Sequence, residues 1–297
     1  MRQRAQIRLL PDQRRLHLQD GPIDVIVEAF GAGGEVHRAY EAAVRRFVGV
    51  LDELCSELPL LRSQAVTGGL WPKGKIARRM ATAVAPYAER TFITPMAAVA
   101  GAVAEEILVT MTAAAELAKA YVNDGGDIAL HLAPGERFVI GMVERPERRS
   151  LFGTATVSSD EPIRGIATSG WRGRSFSLGI ADAVTVLAGT AARADAAATI
   201  IANAVDLPGN PKVVRAPACS LAPDSDLGEL LVTQGVGELS AEEADRALRA
   251  GMVVAEELVA EGLIHSAALH LHKETRIAGA ELGLEWSDRK TRSLVHA

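Results

Sequence analysis

The sequence predicts an α+β protein built on antiparallel sheet. Strand candidates come in consecutive groups, with helical stretches between the groups. The chain does not alternate strand and helix with GxGxxG turns, as a doubly wound nucleotide fold would. Short alternating runs are joined by turn residues such as Pro11-Asp12 and Asp20-Gly21-Pro22.

Taken in order, Gln6–Leu10, Arg15–Gln19 and Ile23–Phe30 read as a three-stranded meander ended by Gly31–Gly34. From His37 to Leu58, apolar residues recur at helical spacing, and Pro59 is expected to stop that helix. Residues 63–74 read as loop. Ile76–Tyr87 reads as a short helix interrupted at Pro86. Thr94-Pro95 is a helix start, with Thr94 as N-cap and proline where its missing N–H costs nothing. Met96–Lys119, dense in Ala, Val, Leu and Met, follows as one or two buried helices, in which Gly101 lets another backbone approach.

Tyr121–Leu132 reads as strand, turn, strand around Asn123-Asp124-Gly125-Gly126-Asp127. Phe138–Val143, Phe152–Ser158, Gly165–Thr168 and Ser177–Leu187 are further strands. Ala191–Val205 is a small-residue helix, and Leu230–Gln234 is ambiguous. Ser240–Glu261 is a helix with Ser240 as cap and Glu242 and Glu243 in its first turn. His265–His272 reads as a last strand. The expected organisation is one domain over 1–280, with lobes of about 1–92 and 93–280, and a polar tail at 281–297.

The 297 residues carry 32 Lys+Arg against 37 Asp+Glu, a net charge of −5. At 48% hydrophobic and 23% charged, the chain has the composition of a folded protein and not of a disordered one. A mildly acidic chain with 4% aromatics argues against a nucleic-acid platform. Two cysteines, Cys55 and Cys219, make no disulfide framework and no metal spacing. No leader-like apolar segment opens the chain, and no run reaches about 18 uncharged apolar residues. A cytoplasmic protein with no membrane and no nucleic-acid partner is expected, and a homo-oligomer is left open.

Four constellations are candidates for chemistry. The Gly125-Gly126 turn permits positive φ and close backbone approach, and is equally a plain hairpin turn. The strand end Gly165-Ile166-Ala167-Thr168-Ser169-Gly170 offers two hydroxyls and a flexible amide to a phosphate, or is simply capped. Asp195 and Thr199, four apart, share one helix face and offer oxygens suited to a hard cation; the alternative is an Asp favouring the helix N-terminus. Lys73, Lys75, Arg78 and Arg79, and likewise Arg172 and Arg174, are either phosphate ligands or solvated charges. The seven histidines fall into no metal spacing.

The order Ala-rich helix, VNDGGDIAL, GIATSG, SFSLGIADAVTVLA, ADAAAT resembles the ApbE family of FAD:protein FMN transferases, and more closely a sister family of uncharacterised ApbE-like proteins. The resemblance covers residues 94–205. It implies a T-fold-like α+β architecture and a Mg²⁺ site beside a flavin pyrophosphate. By resemblance, Gly125, Gly126 and Asp127 match the GGD turn, and Ala167, Thr168, Ser169 and Gly170 match the element lining the dinucleotide. Asp195 and Thr199 match the metal-holding ADxxAT pair, and Glu105 falls where the family has Asp in its KGYxxD helix. Two departures stand out. Ala100 replaces the family lysine, and the HxxDP segment is absent, with no histidine between His131 and His265.

The reading that results is a protein binding a flavin (FAD or FMN), or a related nucleotide or pterin phosphate, with Mg²⁺. Its chemistry, where present, is cleavage or transfer at a phosphoanhydride. Ser169, the double glycine and Arg172 orient phosphates, and a general base comes from Asp127 or Asp182. A genuine FMN transferase and a non-catalytic binding or assembly protein are the alternatives.

Overall fold

The computed structural model describes residues 4–145, 148–280 and 285–286. The expected meander forms as β1 (Gln6–Leu9), β2 (Leu16–Asp20) and β3 (Ile23–Phe30). In β3 the alternation puts Ile23, Val25, Val27 and Ala29 into the core.

The helix expected over 37–58 is divided into α1 (Gly33–Phe47), α2 (Val50–Ser56) and α3 (Leu58–Leu61). Gly49, at φ 174°, leaves helical geometry and becomes the residue before α2. Pro59 does not stop a helix; it sits in the first turn of α3, where a missing N–H is tolerated. Next come α4 (Lys75–Val84), closed by a 3₁₀ turn at Ala85–Tyr87, and the 3₁₀ turn Pro95–Ala98 that opens α5 (Val99–Ala114). Thr94 precedes that turn but does not cap it. Its hydroxyl donates instead to Asp226 at 2.5 Å.

The hairpin β4 (Lys119–Asp124) and β5 (Asp127–Leu132) is followed by β6 (Arg137–Arg145), β7 (Arg148–Ser158) and β8 (Gly165–Ser169). The strand expected over 177–187 shortens to β9 (Ala183–Ala188). Its first half is irregular because it crosses the end of α6 (Ala191–Ala204). There the Ile180 N–H donates to the Val205 carbonyl at 2.8 Å, and Gly179 has no room for a Cβ against the Ala202 and Val205 carbonyls.

No expected element corresponds to β10 (Val213–Pro217) or the short α7 (Ala218–Leu221), and the ambiguous segment at 230–234 overlaps the strand β11 (Leu231–Val236). The chain continues with α8 (Ala241–Ala260) and β12 (Ser266–Leu271). It then turns back into β13 (Glu274–Gly279), where no strand was expected. The tail at 281–297 lies outside the described residues, apart from β14 (Glu285–Trp286), which pairs with β7.

Nine strands form one antiparallel sheet in the order β1-β2-β3-β4-β5-β8-β9-β12-β13. Helices cover one face. On that side Ala129, Ala167 and Val186 join the main core with α5 and α6. On the other face Leu130, Ile166 and Leu187 meet Val157, with Phe138 alongside. The middle strands are thus buried on both faces, which is why β9 reads AVTVLA without a polar alternation. The 20-residue segment Pro95–Ala114 has a mean hydropathy of 1.5 and is long and apolar enough to cross a membrane. Here half of it is buried in the fold, and it carries Glu105 and Glu106.

Candidate functional site

At one end of the central strands, a cavity of about 680 Å³ opens between the β4–β5 turn, the end of β8, the start of β9, the start of α5 and one face of α6. This is the size range of small-molecule sites. Asp195, Thr199 and Asn203 line it at i, i+4 and i+8 of α6, a single helix face. Phe92, Met96, Val99 and Phe176 supply its apolar wall.

Asp195 divides its carboxylate between two tasks. Oδ2 accepts the Gly101 N–H at 3.0 Å, in the first turn of α5, where helix N–H groups lack partners of their own. The Ala100 amide acts on the same carboxylate, and Asp195 lines the cavity. Burial pushes its pKa up to about 7, against the Gly101 and Ala100 amides, while the nearby Asp124 carboxylate pushes it further up. Asp127 lies across from it. Burial and then the Asp195 charge hold its carboxyl well above the usual range, although it accepts the Thr168 N–H at 3.2 Å. Asp124, which no motif singled out, is a further carboxylate at the cavity, which Asp182 and Asp226 also line. Its pKa is pushed up to about 7, chiefly by burial.

Two repelling carboxylates and the Thr199 hydroxyl make an all-oxygen donor set, which fits a hard cation better than a soft one. Among the described residues, no three His, Cys, Asp or Glu side chains converge tightly enough to hold a metal by themselves. An ion here would complete its shell with water or ligand oxygens, as Mg²⁺ commonly does.

The other expected site residues fall into two groups. Gly125, Gly126, Thr168, Ser169, Gly170, Arg172 and Asp182 all line the cavity. Several of them are nevertheless committed elsewhere. The Gly126 N–H donates to Asn123 Oδ1 at 2.8 Å, and the Thr168 hydroxyl pairs with Thr185 at 2.9 Å. Gly170 is a packing glycine, because a Cβ there would meet the Asp182 and Ala181 carbonyls.

Asp182 is buried with both oxygens engaged. Arg172 Nε donates to Oδ1 at 2.6 Å, and the His272 N–H donates to Oδ2 at 2.8 Å. That second bond steadies the β12–β13 turn, where His272 (φ 56°) and Lys273 (φ 135°) hold positive φ without being glycine. Arg172 also stacks on Trp171 at 4.2 Å. Of the two residues expected as bases, Asp182 is thus committed to structural bonds.

Glu105 does not reach the cavity. It points into the helix packing, where Arg79 donates to Oε2 at 3.2 Å and the Ala192 N–H donates to Oε1 at 3.2 Å. The basic cluster is likewise structural. Arg79 pairs with Glu105 and Glu106, and Arg78 Nε donates to the Pro72 carbonyl at 3.0 Å. Glu57 receives the Lys73 and Gly74 amides at 2.7 Å each.

The chain is thus an antiparallel α+β protein with a carboxylate-and-hydroxyl cavity at the ends of its central strands. A family model described as "AbpE bacteria" matches residues 7–277, and the chain belongs to that uncharacterised ApbE-like family. It is 36% identical over 141 residues to a UPF0280 protein of Methanopyrus kandleri (43% of this chain, 48% of the relative). It is 38% identical over 140 residues to one of Methanosphaerula palustris (44% and 52%). The chain spans about half the length of these relatives. Among solved structures it is similar to the flavinyl transferase ApbE of Pseudomonas stutzeri in its apo form, at 11% identity and a TM-score of 0.49, covering 94% of this chain and 96% of that one. It is also similar to the flavin transferase ApbE of Vibrio cholerae, at 13% identity and a TM-score of 0.38, covering 91% and 98%.

Proposed function

We propose that this chain binds a flavin or a related nucleotide or pterin phosphate together with Mg²⁺, and that the cation and phosphate meet between Asp127 and Asp195. The observation that carries this reading is the convergence of these two half-buried carboxylates, from β5 and α6, on one cavity. Two such charges repel each other unless protonated or bridged by a cation. Asp127, Asp195 and Thr199 would hold the ion, which when bound would neutralise charge on a phosphoanhydride. Ser169 would orient phosphate oxygens, and the wall of Phe92, Met96, Val99 and Phe176 would take the planar ring.

Titration of FAD followed by flavin fluorescence, with and without Mg²⁺, tests the reading. Binding that requires Mg²⁺, and an Asp195→Asn variant that folds but loses the requirement or the binding, are expected. FAD binding indifferent to Mg²⁺ in both proteins would remove the metal from the account.

Protein flavinylation is not the expected activity. Ala100 lines the cavity where the resemblance places a lysine, and no histidine occurs between His131 and His265. Incubation with FAD, Mg²⁺ and an acceptor protein should leave no fluorescent band on a denaturing gel. A clear band would make the chain a transferase.

A further inference from the structure

One cation at the cavity mouth has no structural task. Arg174, on the exposed loop between β8 and β9, lays its guanidinium against the backbone of Gly125. Gly125 (φ +67°) has no room for a Cβ beside that guanidinium. Among the described residues, no hydrogen bond or ion pair fixes Arg174, although Asp124 and Asp127 both feel its charge. Arg172, two residues earlier, already pairs through Nε with Asp182 and lays its plane on Trp171.

Five aspartates line the cavity, of which Asp182 is paired with Arg172 and Asp226 accepts from Thr94. Such a wall repels a phosphate-bearing ligand, so a cation not already paired is needed where the ligand's charge enters. A guanidinium offers five donors in a planar fork that matches phosphate oxygens. The geometry points to Arg174 as the residue that reads the phosphate charge of the ligand, with Gly125 keeping open the space the guanidinium occupies. This assignment rests on the phosphate-ligand reading above and names a specificity residue for it.

FMN and riboflavin share a ring and differ by one phosphate, so their affinities separate the two ideas. With Mg²⁺ present, the wild type should bind FMN more tightly than riboflavin. Arg174→Gln should weaken FMN by about 10- to 100-fold, the worth of a charge-assisted hydrogen bond, and leave riboflavin unchanged. Arg174→Lys should restore part of the loss, since it returns the charge without the fork. Equal loss for both flavins, or loss for neither, overturns the assignment. If the wild type binds neither flavin, the ring reading fails, and calorimetry with pyrophosphate takes over. Pyrophosphate bound by the wild type and lost in Arg174→Gln keeps Arg174 as the anion reader. Pyrophosphate bound by both proteins, or by neither, overturns it.

Discussion

At Asp124 a raised pKa becomes a statement about stability. Its folded value of about 7 stands above the ordinary 3.8, so between those values the folded protein holds more protons than the unfolded chain. The favourable contribution is complete below about pH 4 and is lost as pH rises through 7. Asp124→Asn removes that loss while keeping an oxygen for the Asp24 N–H. The variant should therefore gain on the wild type by a few kcal/mol at pH 8 relative to pH 5. Thermal melts of both proteins at the two pH values check this, and an equal difference at both would show Asp124 ionised throughout. The neighbouring glycines differ in kind. Gly126, at φ +119° with open space around it, should cost about 1–3 kcal/mol on mutation to Ala through backbone strain alone, with FAD affinity intact. Gly125→Ala should lose FMN affinity as well, because it displaces Arg174. Asp195 and Thr199 were legible as a pair because helical spacing is local. Arg174 was legible only as one of several candidate phosphate cations, and Asp124 not at all, since only the closed chain brings them to the same cavity.

Among the elements, α5 and α6 cap each other. Asp195 of α6 receives an N–H from the first turn of α5, and Glu105 of α5 receives the Ala192 N–H from the first turn of α6. Each carboxylate stands at a positive helix end. Glu105→Ala should lower stability by about 1–3 kcal/mol, because it leaves the Ala192 amide without its acceptor and Arg79 with Glu106 alone, yet leave ligand affinity unchanged in the folded protein. A loss of affinity at full folding would return Glu105 to the ligand. At α8 the expected cap is a full capping box: the Glu243 N–H donates to Ser240 Oγ at 3.2 Å, and the Ser240 N–H donates to Glu243 at 2.7 Å. Ser240→Ala should cost about 0.5–2 kcal/mol by chemical denaturation. Lys212, then the Ser240 amide, hold the Glu243 pKa down near 2, so this support should fade only as pH falls from the ordinary carboxylate range toward 2. Caps and hairpin turns were legible because their signals lie within a few residues. The β10–β11 pair was not: Val213–Pro217 ends in proline, and its partner lies beyond α7. The irregular stretch before β9 shows the same limit, since its alternation is strand-like and only contact with the end of α6 breaks it.

In the whole molecule, the sheet joins segments far apart in the chain. Phe30 at the end of β3 pairs with Lys119 at the start of β4, with residues 31–118 intervening, and β9 pairs with β12 across α6 and α8. The class was legible from grouped strands, but this order was not, because each such pairing is decided by packing and not by neighbours. The sheet also runs across the two lobes drawn at residue 92, so β1–β3 lean on β4 and not on a core of their own. A fragment of residues 1–92 should therefore show no cooperative melt by circular dichroism. The same feature bears on how the chain reaches its native state. The local β4–β5 hairpin can close early, whereas the β3–β4 and β9–β12 seams must wait until long loops are drawn together. Assembly should therefore be slow for a chain this rich in helix, and the edges of β3 and β9 are the surfaces left open to other chains while it waits.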